Sequence, residues 1–467
     1  MKVEQLYTGC LAEAAYYIES DGEAAIIDPL RDTAPYLRKA EEDNAKFKYI
    51  FETHFHADFV SGHLDMAQKT GAQIVYGPNA TAEFDFLCAE DNQEFKIGKV
   101  TLVLLHTPGH TMESSTFLLR DENGKDVALF TGDTLFIGDV GRPDLAVKSD
   151  LSKEDLAGYL FDSLRNKIMP LSDDLTIYPG HGAGSACGKN LSTETVDTLG
   201  NQKATNYALR PDMSREEFVK EVTDGIAPPP QYFPKNAVMN KKGYDSLDKV
   251  MDRGNRALTA DEFEKLANDA EALILDTRNK EAFAEAHVPG SVFIGLDGNF
   301  APWVGALIED LQQPILFLAD AGKEEEVITR LSRVGYDHTI GYLNGGVEAW
   351  KNAGKEADSV PSVEANDLGA LIKDGGTVVD VRKPSEFDAE HVEDAANIPL
   401  DYINANMDKI TNEPNQYVHC KSGYRSMVFI SILKARGFHN HVNVNGGIDA
   451  ILKTDIPVTA FACSSQS

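Results

Sequence analysis

The sequence predicts an α/β protein built from one larger and two smaller domains. Three observations carry this. Apolar strand-like runs alternate with helical stretches along the chain, the pattern of sheets covered by helices. A unit of about 100 residues in the second half occurs twice. And 467 residues, 42% hydrophobic and 25% charged, suit two to four domains at ~100–200 residues each and exclude global disorder.

Two breaks divide the chain. Residues 225–234 read GIAPPPQYFP. Three consecutive prolines continue neither a helix nor a central strand, so this stretch is an extended connector. Residues 353–362, AGKEADSVPS, are polar and small, which marks the second break. The predicted domains are therefore 1–235, 236–357 and 358–467.

The second and third domains are copies of one unit. LILDTRNKEAFAEAHVPGSVFIGL (273–296) lies against VVDVRKPSEFDAEHVEDAANIPL (378–400). Asp276, Arg278, Phe283 and His287 recur, equally spaced, as Asp380, Arg382, Phe387 and His391. LNGGVEAW (343–350) recurs as VNGGIDAI (444–451). Short strands followed by helices imply a mainly parallel sheet in each copy.

The first domain has a different rhythm. Four apolar runs each end at a polar site: YIFETH (49–54), VTLVLLHTPGH (100–110), VALFTGD (127–133) and LTIYPGH (175–181). Reactive groups just past strand ends are how α/β enzymes usually build sites. The densest cluster is THFHADFVSGH, with His54, His56, Asp58 and His63. His-x-His-x-Asp at a strand end projects alternate side chains to one side, so His54, His56 and Asp58 are expected to converge on one point. His110, Asp133 and His181 stand at the other strand ends, a donor set suited to a metal ion.

As a set, these motifs over residues 1–235 resemble the metallo-β-lactamase superfamily. The resemblance implies an αββα sandwich. Members with two metals use a His-x-His-x-Asp-His signature, whereas the residue after Asp58 here is Phe59. An apolar ring removes a ligand of the second metal and favours a mononuclear centre. The subgroup it most resembles is the persulfide dioxygenases. That implies one Fe(II) per chain, held by His54, His110 and Asp133, with positions open for a substrate sulfur and O2. His56, Asp58 and His181 would orient ligands and water, or His56 would be a fourth ligand. Arg142, in Gly-Arg-Pro-Asp, matches an arginine near the bound thiol; it either meets an anionic carrier or pairs with Asp144. Lys189, in the glycine-rich segment 180–190, is a candidate for the substrate entrance.

HCKSGYRS (419–426) sits between a strand-like run and a helix. Such a loop turns backbone N–H groups inward at a helix N-terminus, stabilising a thiolate and an anion. Lys421 and Arg425 add positive charge, so Cys420 is the candidate nucleophile. Residues 363–455 resemble the rhodanese (sulfurtransferase) domain. Four residues separate Cys420 from Arg425, a loop for sulfane sulfur, whereas the related phosphatase loop has five. The first copy reads ADAGKEEE (319–326): either Ala319 or Asp320 stands at the cysteine position and Glu324 at the arginine position. It is a rhodanese-like domain without the chemistry.

A net charge of −30 argues against nucleic acid and anionic lipid as partners. No apolar run approaches the ~20 residues that span a bilayer, and the N-terminus lacks a leader pattern. Five scattered cysteines suit a reducing, cytoplasmic setting. The order of domains resembles fused persulfide dioxygenase–sulfurtransferases of sulfide detoxification. It implies thiol persulfides, O2, sulfite and thiosulfate as reactants, and self-association into a homo-oligomer. The rival reading is a glyoxalase II-like zinc thioester hydrolase fused to a sulfurtransferase.

Overall fold

Strand Glu13–Ser20 shows how the first half is layered. Tyr16 and Ile18 point to one side and Ala15 and Tyr17 to the other, and all four are buried. A strand covered on both faces belongs inside a layered fold. Tyr16 and Ile18 join Phe51, Phe117 and Phe130 between two sheets. Ala15 and Tyr17 join Tyr36 and Met66 beneath helices Ala34–Glu42 and His63–Thr70. Behind the other sheet, Leu118, Leu129 and Ile177 meet Leu160 of helix Lys153–Ser163 and Phe218 of helix Arg215–Thr223. The result is the expected αββα sandwich.

The computed structural model describes residues 1–146 and 151–460. Cys463 lies outside the described residues. The chain divides into two compact units, Met1–Lys249 with Leu331–Gly335, and Val250–Arg330 with the residues from Tyr336 onward.

In the first unit each sheet has six strands. Strands Lys46–Phe51, Val100–His106, Asp126–Gly132 and Thr176–Pro179, one from the first sheet and three from the second, are followed directly by the segments carrying His54, His110, Asp133 and His181. Gly132 permits the turn into Asp133. Its φ is +48°, and a Cβ there would stand 2.5 Å from Thr53 Oγ1. The register of the sheet shifts at the same point.

In the second unit the two copies share one architecture. Each has a five-stranded sheet in which every pairing is parallel. The repeated residues do the same work twice. Arg278 grips Asp276 and donates to the Ala286 carbonyl; Arg382 grips Asp380 and donates to the Glu390 carbonyl. Phe283 stacks on His287 with ring centroids 4.0 Å apart, and Phe387 on His391 at 3.8 Å. Among the described residues, no helix is long and apolar enough to cross a membrane.

Candidate metal centre and sulfur loop

Beyond Phe51 the strand stops, and Glu52–Val60 is irregular backbone. The expected alternation therefore ends, and His54, His56 and Asp58 do not meet at one point. They divide between two adjoining groups. His54, His110 and Asp133 form one, with ligand atoms within 4.8 Å of one another; His56, Asp58 and His181 form the other on the same measure. Asp133 stands between them: Oδ2 is 3.5 Å from His110 Nε2, and Oδ1 is 3.5 Å from His181 Nε2. All six residues are buried.

The hydrogen bonds behind the ring nitrogens leave the inward ones free to bind. His110 Nδ1 lies 2.8 Å from the Arg142 carbonyl, and His181 Nδ1 3.1 Å from the Ala12 carbonyl. A carbonyl only accepts, which assigns the proton to Nδ1 and the lone pair to Nε2. His54 Nδ1 lies 2.9 Å from Thr53 Oγ1, whose own proton goes to Asp28 Oδ2; the same assignment follows. Burial, then the neighbouring His56, His110 and His181, hold His54 well below the usual histidine range. Among the described residues, His54 Nε2, His181 Nε2 and both Asp133 oxygens have no hydrogen-bond partner. Buried lone pairs facing one another are costly unless a cation joins them, so the residues fit a metal ion.

His56 also turns elsewhere. Its Nε2 is 3.1 Å from Asp28 Oδ1 and 3.4 Å from Glu52 Oε2. Burial alone would lower its pKa, but the Asp28 carboxylate, then Glu52, reverse this and raise it well above the usual histidine range. His63 stands apart from both groups, its Nδ1 3.5 Å from Glu52 Oε1 and its ring against Phe84 and Tyr244.

Two candidate cations are committed to the protein. Arg142 is buried, and four of the five N–H groups of its guanidinium reach Asp144 Oδ1, Asp144 Oδ2, and the carbonyls of Ala186 and Ala227. It braces the loop, while its own carbonyl orients His110. This is the Asp144 pairing left open by the sequence. Lys189 donates to the carbonyls of Glu221 and Asp224, closing the C-terminal end of helix Arg215–Thr223 rather than an entrance.

Two residues beside the centre had no role from the sequence. Cys187 brings its sulfur within 4.8 Å of ligand atoms of Asp133 and His181, and burial pushes its thiol well above the usual range. Asn240, on helix Phe233–Lys242, donates to the carbonyls of His56 and Phe59, both at 2.8 Å, and accepts from the Ser61 N–H at 2.9 Å. It fixes the histidine loop from beyond the proline run. Its only sequence signal is an amide in a short helix, which is too common to select.

In the second unit Cys420 follows strand Gln416–His419, and Gly423 caps helix Tyr424–Ala435 in the left-handed region. The Gly423 N–H donates to Cys420 Sγ at 3.2 Å; Ser426 Oγ lies 3.7 Å from the same sulfur and donates to Asn443 Oδ1 at 2.8 Å. Arg425 is bidentate on Glu386 at 2.6 and 2.8 Å; Lys421 is exposed. Strand register resolves the other copy: Asp380 pairs with His419, and Asp276 with Leu318. Ala319, the next residue, is thus the counterpart of Cys420. The cavity there, about 450 Å³, is lined by Asp320, Glu324, Glu285 and Glu348 among others.

The likenesses to known proteins agree with this layout. Residues 8–181 match the metallo-beta-lactamase superfamily, and residues 259–353 and 364–454 each match the rhodanese-like domain. A mitochondrial persulfide dioxygenase of Homo sapiens is 33% identical over 45% of this chain and 74% of its own length. A hydroxyacylglutathione hydrolase of Haemophilus influenzae is 32% identical over 37% of this chain and 85% of its own. A crystal structure of a metallo-beta-lactamase from Staphylococcus aureus subsp. aureus COL superposes with a TM-score of 0.63 at 32% identity, covering 74% of this chain and 98% of that one. With a buried His/Asp centre at the strand ends and a duplicated α/β unit later in the sequence, the chain belongs to the metallo-β-lactamase superfamily and carries two rhodanese-like domains after that fold.

Proposed function

We propose that this protein oxidises low-molecular-weight thiol persulfides with O2 to sulfite, and that Cys420 carries sulfane sulfur for the formation of thiosulfate. The observation that carries the reading is Phe59. It is fully buried and stacked on His56, at the position where two-metal relatives have a histidine. One metal ion, Fe(II), would then be held by His54, His110 and Asp133. Bound there, it would supply open coordination positions together with the redox electrons for O2 that zinc lacks.

The chain's own residues supply the rest. The Arg142 and Ala12 carbonyls and Thr53 fix the three imidazoles in the tautomer that binds. Asp28 and Glu52 draw His56 away. Asn240 holds the loop between them. In the second unit, the Gly423 N–H donates to the Cys420 sulfur and stabilises its anion. Two such sites in one chain raise the local concentration of shared sulfur intermediates. Four unpaired cysteines among the described residues suit a reducing cytoplasm, and we expect the protein to self-associate.

The group formed by His56, Asp58 and His181 favours one rival, a zinc thioester hydrolase with two metals. Oxygen uptake by anaerobically purified, metal-quantified protein separates the two. One iron per chain and O2 consumption with small persulfides support our reading. Two zinc ions per chain with turnover of hydroxyacylglutathione thioesters, and no O2 uptake, would overturn it.

A further inference from the structure

The copy without a thiol reaches into the sulfur site of the copy that has one. Helix Tyr424–Ala435, which carries the sulfur loop, packs on strand Val292–Phe293 of the inert copy. The Phe293 N–H donates to Ser431 Oγ at 2.9 Å, and Tyr424 Oη donates to the Gly295 carbonyl at 3.0 Å. A Cβ on Gly298 would stand 2.6 Å from Tyr424 Cζ, so the loop sits against the inert copy with no space between.

Beside this contact is a cavity of about 240 Å³. Ser422, Gly423 and Asn445 of the active copy form one side, and Lys280 and Glu281 of the inert copy form the other. Lys280 Cε stands 3.8 Å from the place of a Cβ on Gly423. Gly423 is the residue whose N–H donates to Cys420 Sγ. Lys280 pairs with its neighbour Glu281, which is exposed, so that contact is weak in water and readily exchanged for a ligand.

We propose that Lys280 is an oxyanion-binding residue of the sulfurtransferase site, receiving the SO3 group of sulfite as acceptor or of thiosulfate as donor. The proposal rests on the reading of Cys420 as sulfur carrier. Charge supports it: of the two cations in the loop, Arg425 is already bidentate on Glu386 and Lys421 is exposed to solvent, and the chain as a whole is strongly acidic. A doubly charged acceptor is held better with a further cation against the loop, and Lys280 stands there on the opposite wall. In the step served, the lone pair on sulfite sulfur forms a bond to the terminal sulfur of the Cys420 persulfide anion. The S–S bond to Sγ breaks, and its electron pair stays on Sγ as thiolate. One persulfide anion and one sulfite become one thiolate and one thiosulfate, with no other oxidant or reductant.

The test is steady-state sulfur transfer from thiosulfate to saturating cyanide by the full-length protein. Lys280→Ala should raise KM for thiosulfate about tenfold, the value of one charge-assisted contact, with kcat within about twofold. Lys280→Arg should restore KM, and Glu281→Gln should lower it. With 2-hydroxyethyl persulfide as donor, which has no SO3 group, KM of Lys280→Ala should equal that of the unaltered protein. An unchanged KM for thiosulfate, or an equal rise for the persulfide donor, would overturn the assignment while leaving Cys420 as carrier. Unaltered protein that transfers sulfur no faster than Cys420→Ser, from either donor, would overturn the carrier reading and this proposal with it.

Discussion

Phe59 lies over His56, ring centroids 4.2 Å apart and planes 29° from parallel. The ring covers the imidazole on one face while Asp28 and Glu52 hold its edge. Phe59→His should open this stack to a second metal ion, which His56, Asp58 and His181 are placed to share. Metal analysis after reconstitution should rise from about one toward about two ions per chain. An unchanged ratio would mean that Phe59 does not set the stoichiometry.

Gly180 packs against the centre from behind. A Cβ there would stand 2.6 Å from Asp133 Oδ1, so Gly180→Ala must displace that carboxylate oxygen. Metal affinity should fall about tenfold or more, as when a group supporting a ligand is moved. Because the nearest obstacle is the end of a side chain, with the Gly132 backbone next at 3.2 and 3.3 Å, thermal unfolding of the metal-free protein should change less than metal affinity does. Competition with a chelator measures the first, calorimetry the second.

Cys420→Ser should divide the two activities. O2 uptake with added persulfide should persist, sulfite should accumulate, and thiosulfate formation should fall by about a hundredfold or more. Thiosulfate appearing at the unaltered rate would assign that step elsewhere.

The second unit should be acid-sensitive through His441. Burial lowers this imidazole from its ordinary 6.5 to about 4, and Nδ1 has no partner among the described residues. Between those values the unfolded chain binds a proton that the folded chain refuses. The contribution is therefore complete above pH 6.5, is lost as pH falls toward 4, and levels off below. Its size is about 3 kcal/mol. Denaturant titrations at several pH values should show this slope, and His441→Leu should flatten it.

The layers, the duplicated unit and the His/Asp recurrence were legible because each is a local pattern: an apolar run, a repeated spacing, a polar residue at a strand end. The duplication shows it best, since Asp276–Arg278 and Asp380–Arg382 close the same fork in both copies. What a charged side chain finally touches was not legible. Arg142, Lys189 and Arg425 read in sequence as cations beside a site, with only the Asp144 pairing of Arg142 foreseen, yet one braces a loop, one closes a helix and one grips Glu386. Asn240 and Cys187 were missed for the same reason, because their importance is set by residues far away in the chain. The strand alternation failed past Phe51, where backbone pairing stops and the loop's own hydrogen bonds set direction.

The pocket around Ala319 makes an absent thiol hard to install. Ala319→Cys would place a sulfur in a cavity where four carboxylates, Glu285, Asp320, Glu324 and Glu348, outnumber two cations, Arg278 and Lys351, whereas the Cys420 sulfur receives the Gly423 N–H. A single substitution would therefore supply the sulfur atom without the thiolate.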